Sequence, residues 1–270
     1  MGLRKPRSAR LGVDLAGQVE AVGRNVTQFQ PGDDVFGVGR GAFAEYVCAD
    51  GKKLALKPAN LTFEQAAAVP VAACTALQVL RDKGRIQPGQ SVLINGAAGG
   101  VGTFAVQIAK SVGVEVTGVC SARNVDMVRA IGADQVVDYN QDNFTRSRER
   151  YDLIFDAVGN HSLSACRRVM RDKGIYVLVG GPDGRWIGPL ARLVRMMVVS
   201  PFVSQNMVPF LASTNNADLA ILKELIETRK VTPVIDRSYT LTEVPQAIRY
   251  LEEGHARGKV VITFESTHQR

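Results

Sequence analysis

The 270-residue sequence predicts an α/β protein built on a doubly wound parallel sheet. Three observations predict it. From Ser91 onward, short apolar runs alternate with helical patterns through at least four strand–helix units. The first of these units turns from strand to helix through Ile94-Asn95-Gly96-Ala97-Ala98-Gly99-Gly100-Val101-Gly102, far more small residues than a plain turn requires. Before Pro58 the chain has another character, with glycine-rich β-type runs that suggest a separate β unit.

In order, GVDLAGQVEAVG, PGDDVFGVG, GAFAEYVCAD and KKLALKP are the β-type runs of residues 11–57. LTFEQAAAVPVAACTALQVLRDKG is alanine-rich and helical in pattern, with a break at Pro70. SVLIN reads as a strand and VGTFAVQIAKSV as a helix; VEVTGVC and RNVDMVRAIG repeat the pair. QVVDY and YDLIFDAVG are strands, HSLSACRRVMRDKG a helix, and GIYVLVGG a strand. NADLAILKELIETRK is an amphipathic helix. The tail VIDRSYTLTEVPQAIRYLEEGHARGKVVITF reads strand, helix, strand.

Composition narrows the classes. A chain of this length that is 46% hydrophobic can bury one large core or two smaller ones. The net charge of +7 suits anionic ligands, and serves solubility equally well. Cys48, Cys74, Cys120 and Cys166 show neither zinc nor disulfide spacing and read as buried hydrophobes in a reducing compartment. MGLRKPRSAR lacks the apolar core of a signal peptide, and LARLVRMMVVSPFVSQNMVPFLAS is too interrupted for a membrane span. A cytoplasmic protein is expected.

The glycine stretch fits a dinucleotide fingerprint, because it joins a strand to a helix within repeated βα units. Gly99 sits where backbone approaches a pyrophosphate, and Gly102 lets helix and sheet pack closely. Ala97 occupies the first glycine position of the pattern. The helix start offers N–H groups and a positive dipole end to phosphates. Sites that prefer NAD place an acidic side chain at the end of the second strand, on the ribose 2′-hydroxyl. Here VEVTGVC runs into Ser121, Ala122 and Arg123, and Glu115 lies at the wrong end of the strand. Ser121 and Arg123 suit a 2′-phosphate, so NADP(H) is expected over NAD(H).

With those residues in hand, the chain resembles the zinc-independent, quinone-oxidoreductase-like branch of the medium-chain dehydrogenase/reductase superfamily. The resemblance rests on GVDLAGQVEAVG, FQPGDDVFG, GAFAEYV, LTFEQAAAVPVAACTALQVL, PGQSVLINGAAGGVGTFAVQIAK, IGADQVVDY and GKVVITF. It implies a Rossmann domain over residues 61–232, inserted in a GroES-like β domain made from 1–60 and 233–270. Members begin well before the point that corresponds to Met1, so the GroES-like domain is expected to be incomplete at its N-terminus, lacking a segment that lines the substrate site. The resemblance also implies a homodimer. Zinc-dependent relatives carry Gly-His-Glu where this chain has Gly12-Val13-Asp14, and a cysteine where it has Val71. Neither valine can ligate a metal, so no metal is expected.

Carried onto matching positions, the family's cofactor contacts fall on Thr75 at the nicotinamide end and on Ala98, Gly99, Gly100, Val101 and Gly102 in the pyrophosphate loop. Ser121, Arg123 and Tyr139 match the 2′-phosphate pocket. Ala157, Val158 and Gly159, then Gly180 and Gly181, match strand-end contacts. Phe210, Leu211 and Lys259 are weaker correspondences, with ordinary core or surface roles as the alternative.

A nicotinamide without a metal implies direct hydride transfer to an activated small-molecule electron acceptor, a quinone or an α,β-unsaturated carbonyl, whose product anion is delocalised. No general acid is evident; His161 reads as a helix N-terminal residue. An NADPH-binding protein without turnover is the alternative. Arg146, Arg148 and Arg150 come without an RNA motif bearing stacking aromatics, so nucleic acid is not expected as a partner.

Overall fold

The computed structural model describes residues 10–180 and 204–264. The chain divides into two compact units. One takes the chain through Cys74, Ser213–Arg229 and the chain from Pro233; the other takes Thr75–Ala212 and Lys230–Thr232.

The first unit begins with β1 (Asp14–Gln18), β2 (Asp34–Val38) and β3 (Leu54–Leu56) in an antiparallel sheet. The register sets Ala16 opposite Phe36 and Phe36 opposite Ala55. Phe29, Val35 and Leu54 form its small core, with Leu15, Val19 and Val26 packed against them. GAFAEYV, read as a β-type run, forms turns and bends instead. Gly41 there has φ +77°, a left-handed turn conformation, and Tyr46 is exposed. Helix α1 (Phe63–Ala67) starts at a capping box between Thr62 and Gln65. Pro70 opens α2 (Pro70–Gln78), where its missing N–H costs nothing, and a π turn (Val79–Lys83) follows.

The second unit is a six-stranded, fully parallel sheet of β4 (Ser91–Asn95), β5 (Glu115–Cys120), β6 (Gln135–Asp138), β7 (Tyr151–Asp156), β8 (Met170–Leu178) and β9 (Asn206–Pro209). Its spatial order is β6-β5-β4-β7-β8-β9. Counted from β4, that is the 3-2-1-4-5-6 order of the dinucleotide-binding fold. Helices α3 (Gly102–Val112), α4 (Val125–Ala130) and α5 (Leu163–Arg168) make the crossovers among the described residues. The middles of the central strands, Val92–Ile94 in β4 and Leu153–Phe155 in β7, are apolar and buried, as strands covered on both faces must be.

Two strands depart from the sequence reading. The helix expected to reach Gly174 stops at Arg168, and Met170–Lys173 join β8 instead. There Val169 and Met170 are buried, Tyr151 N–H donates to Val169 O at 2.9 Å, and sheet pairing outweighs local helical preference. The register with β7 slips between Tyr151 and Leu153, where Lys173 takes a left-handed φ of 64°. Strand β9 was legible only as part of an apolar stretch; it pairs with β8, Ile175 opposite Asn206.

The first unit is completed by α6 (Asn216–Glu227), β10 (Ile235–Thr240), α7 (Val244–Glu252) and β11 (Lys259–Thr263). β10 and β11 pair in parallel. Asn216 Nδ2 donates to Leu54 O at 2.6 Å, which ties α6 to β3.

Candidate functional site

In this strand order β4 and β7 are neighbours whose connections leave in opposite directions along the sheet. The crevice beyond their carboxyl ends is where such sheets bind ligands. The predicted residues described in the second unit, Thr75 apart, gather at that end. The 96–101 loop follows β4, Ser121 and Arg123 follow β5, and Tyr139 follows β6. Ala157, Val158 and Gly159 follow β7, Gly180 follows β8, and Phe210 and Leu211 follow β9. Gly181 lies outside the described residues.

The glycines of the loop have distinct duties. Gly96 is its left-handed residue, at φ +89°, and makes the sharp turn that the sequence pattern assigned to the position of Ala97. Gly96 N–H and Ala97 N–H donate to Val119 O at 3.1 and 3.0 Å, which fastens the turn to β5. Gly102 supplies close packing: a Cβ there would lie 2.0 Å from Gly96 O. At Gly99 a Cβ would meet, among the described residues, only Gly96 O within 4 Å, at 3.4 Å. Gly99 N–H itself turns inward to Gly96 O at 3.0 Å, and Thr103 N–H donates to Gly99 O. Val101 is the N-cap of α3 and Gly102 its first residue, so the N–H groups that begin the helix lie beyond the reach of its own i→i−4 ladder. Half-buried glycine backbone at the positive end of an eleven-residue helix fits a pyrophosphate.

On the β5–β6 side, Ser121 is half-buried and accepts from Asn124 Nδ2 at 3.1 Å, while Arg123 is exposed on the turn that leads into α4. Tyr139 N–H donates to Cys120 O at 3.0 Å, which sets its exposed ring at the same sheet end. Burial, aided by Asp138, pushes the Cys120 thiol up to about 11. It is a core group and not a nucleophile.

The β7–β8 side holds residues that sequence reasoning passed over. Asp156, fully buried at the end of β7, accepts from Asn95 Nδ2 at 2.8 Å, Val158 N–H at 3.1 Å and Gly159 N–H at 2.7 Å. Its second oxygen accepts from Tyr176 Oη at 2.6 Å. Asn95 also donates to Asn160 Oδ1 at 3.0 Å. The available signal was an Asn and an Asp directly after the apolar runs Val92–Ile94 and Leu153–Phe155, at the same sheet end. Gly180 packs where a Cβ would stand 2.2 Å from Ala157 O. Val158 is part-exposed, and the His161 ring meets Phe144 edge-on at 4.7 Å.

Thr75 is buried in α2. Lys259, in the first unit, has its Nζ 3.4 Å from Asp14 Oδ2, and Val71 N–H donates to Asp14 Oδ1 at 2.9 Å. Burial holds the Asp14 carboxyl above its ordinary value although Lys259 and the Val71 amide pull the other way. With Val13 aliphatic and Asp14 committed to these partners, the donor set there does not fit a zinc ion. Among the described residues no three His, Cys, Asp or Glu side chains group as metal ligands, and no helix is long and apolar enough to cross a membrane. Phe210 N–H donates to Leu178 O at 3.2 Å, and Leu211 is 93% exposed.

Comparison with known proteins agrees with this architecture. The family model for the alcohol dehydrogenase GroES-like domain matches residues 2–59, and that for zinc-binding dehydrogenases matches 131–262. The mitochondrial NAD(P)H oxidoreductase RTN4IP1 of Mus musculus is 33% identical, over 93% of this chain and 69% of the relative. The chloroplastic NADPH-dependent alkenal/one oxidoreductase of Arabidopsis thaliana is 34% identical, over 93% of this chain and 63% of the relative. The quinone oxidoreductase from Coxiella burnetii superposes with a TM-score of 0.83 at 32% identity, covering 93% of this chain and 78% of that one. The chain belongs to the medium-chain dehydrogenase/reductase superfamily, in its quinone-oxidoreductase-like branch of NAD(P)H-dependent oxidoreductases.

Proposed function

We propose that this chain is an NADPH-dependent, zinc-free reductase of quinones or α,β-unsaturated carbonyls. The observation that carries the cofactor choice is the end of β5: exposed Arg123 and the Ser121 hydroxyl stand where an NAD site has a carboxylate. A guanidinium binds a 2′-phosphate in a two-pronged, charge-assisted way and has no such partner on NADH. The quinone and alkenal/one reductases among the relatives support the acceptor class.

The bound nicotinamide supplies the hydride. The chain binds and orients it. Amides at the start of α3 would hold the pyrophosphate, and the β5–β6 ends would hold the adenosine phosphate. The Ala157–Gly159 turn would border the nicotinamide half, since the two halves of such a sheet each take one nucleotide. Zinc-free transfer favours an acceptor whose developing negative charge is already delocalised, so that hydrogen-bond donors alone stabilise it. A homodimer belongs to this reading. β9 is the outer strand of its sheet, with β8 its only partner among the described residues, and molar mass from light scattering tests it.

The test is NADPH oxidation with a quinone, a 2-alkenal and a saturated ketone side by side. Turnover of the quinone or the alkenal, with none of the ketone, is expected. NADPH binding without turnover of any acceptor would refute the reductase reading and favour a cofactor-binding protein without catalysis.

A further inference from the structure

We propose that Asp156 is a positioning residue that pre-forms the nicotinamide side of the crevice by holding three strand ends in one hydrogen-bonded unit. The inference rests on the dinucleotide reading above. Its carboxylate joins β4 through Asn95, the turn after β7 through the Val158 and Gly159 amides, and β8 through Tyr176. The backbone repeats the tie: Ala157 N–H donates to Asn95 O at 3.0 Å, and Val179 N–H to Asp156 O at 2.9 Å.

Two consequences follow for a ligand. The Val158 and Gly159 amides are spent on Asp156 and are not donors for a ligand, so on this side a ligand meets the acceptor groups of the turn, whereas the α3 start is a donor end. One side accepts hydrogen bonds and suits ribose hydroxyls or a carboxamide; the other donates and suits phosphates. Second, Gly159 is left-handed at φ +73°, and Asp156 clamps it there through its amide. Without the carboxylate the buried Gly159 amide and the part-buried Val158 amide lose their acceptor and the turn must rearrange.

The test titrates NADPH, and separately 2′,5′-ADP, which reaches only the adenosine half. Asp156→Ala removes the unit. Asp156→Asn keeps its shape, because the amide oxygen can retain Asn95 and both backbone donors while its NH2 donates to a turned Tyr176 hydroxyl. Tyr176→Phe deletes one buried hydrogen bond to the same carboxylate without touching the turn, and controls for lost stability. In folded Asp156→Ala, NADPH affinity should fall about tenfold or more while 2′,5′-ADP stays within about twofold. Asp156→Asn should recover most of the loss, and Tyr176→Phe, which gives up only the β8 tie, should lose clearly less than Asp156→Ala. Equal weakening of both ligands, or NADPH affinity in Asp156→Ala no lower than in Tyr176→Phe, would overturn the proposal. If Asp156→Ala does not fold, Asp156→Asn is judged against Tyr176→Phe in the same way, with a measurable NADPH-only loss expected. A parent that binds neither NADPH nor NADH overturns the dinucleotide reading and this proposal with it; a binding parent leaves any failure with Asp156 alone.

Discussion

Gly99→Val and Gly102→Val separate the two duties of the glycine loop. Among the described residues a Cβ at Gly99 meets only Gly96 O within 4 Å, at 3.4 Å, which is ordinary contact. Gly99 is not among the glycines with left-handed φ, so a side chain there is not strained by the backbone. Gly99→Val should therefore fold, within about 1 kcal/mol of the parent. Its two methyl groups would stand over the start of α3 and displace phosphate oxygens. Each charge-assisted hydrogen bond so lost is worth roughly 1.5–3 kcal/mol. One lost bond thus weakens NADPH about 10- to 100-fold, and two weaken it further. Gly102→Val behaves otherwise. Its Cβ would lie 2.0 Å from Gly96 O and 2.8 Å from Ala97 Cα, both backbone atoms that cannot swing aside. Reaching even a 3.0 Å contact opens the β4–α3 joint by about 1 Å (3.0 − 2.0), at a cost of roughly 1–3 kcal/mol or more. The unfolding midpoint should drop by several degrees. Calorimetric NADPH titration beside a thermal melt reads both effects. A folded Gly99→Val protein that binds NADPH like the parent would refute the assignment of this loop to the pyrophosphate. If the glycines served packing alone, both variants would lose stability and affinity would fall only with the unfolded fraction.

Arg123→Glu should weaken NADPH while sparing or improving NADH, read by fluorescence titration; equal affinity of the parent for both cofactors would contradict the 2′-phosphate pocket. Activity should survive exhaustive chelation, since Val13 and the committed Asp14 leave no ligand set there; stoichiometric zinc lost together with activity would reverse this. Lys259→Met strands Asp14, whose side chain is four-fifths buried, and should cost about 1–3 kcal/mol near neutrality. The sign of its pH dependence follows from burial. A folded-state carboxyl held above its unfolded value takes up a proton more readily when folded, so protonation favours the fold. The deficit against the parent should close as pH falls from neutrality toward the unfolded carboxyl range near 4, and a deficit constant across that window in denaturant melts would count against the pairing.

Much of this molecule is local in origin and was readable along the chain. The β4 and β7 strands announced themselves by short apolar runs, because strands buried on both faces cannot alternate. The 3-2-1-4-5-6 sheet followed as a parallel class from the βα repeat, and the missing carboxylate after VEVTGVC is a fact of one position. The tertiary structure decided what depends on distant partners. β9 and the first residues of β8 are strands because a neighbour pairs with them, not because of their own propensity. Whether Gly96, Gly99 or Gly102 turns the chain, leaves space or packs the helix depends on where the Gly96 carbonyl lies in space. Lys259 and Asp14 are 245 residues apart, and Asp156 is 61 from Asn95. A buried polar group must find its partners wherever the fold brings them, and sequence spacing carries no trace of that choice.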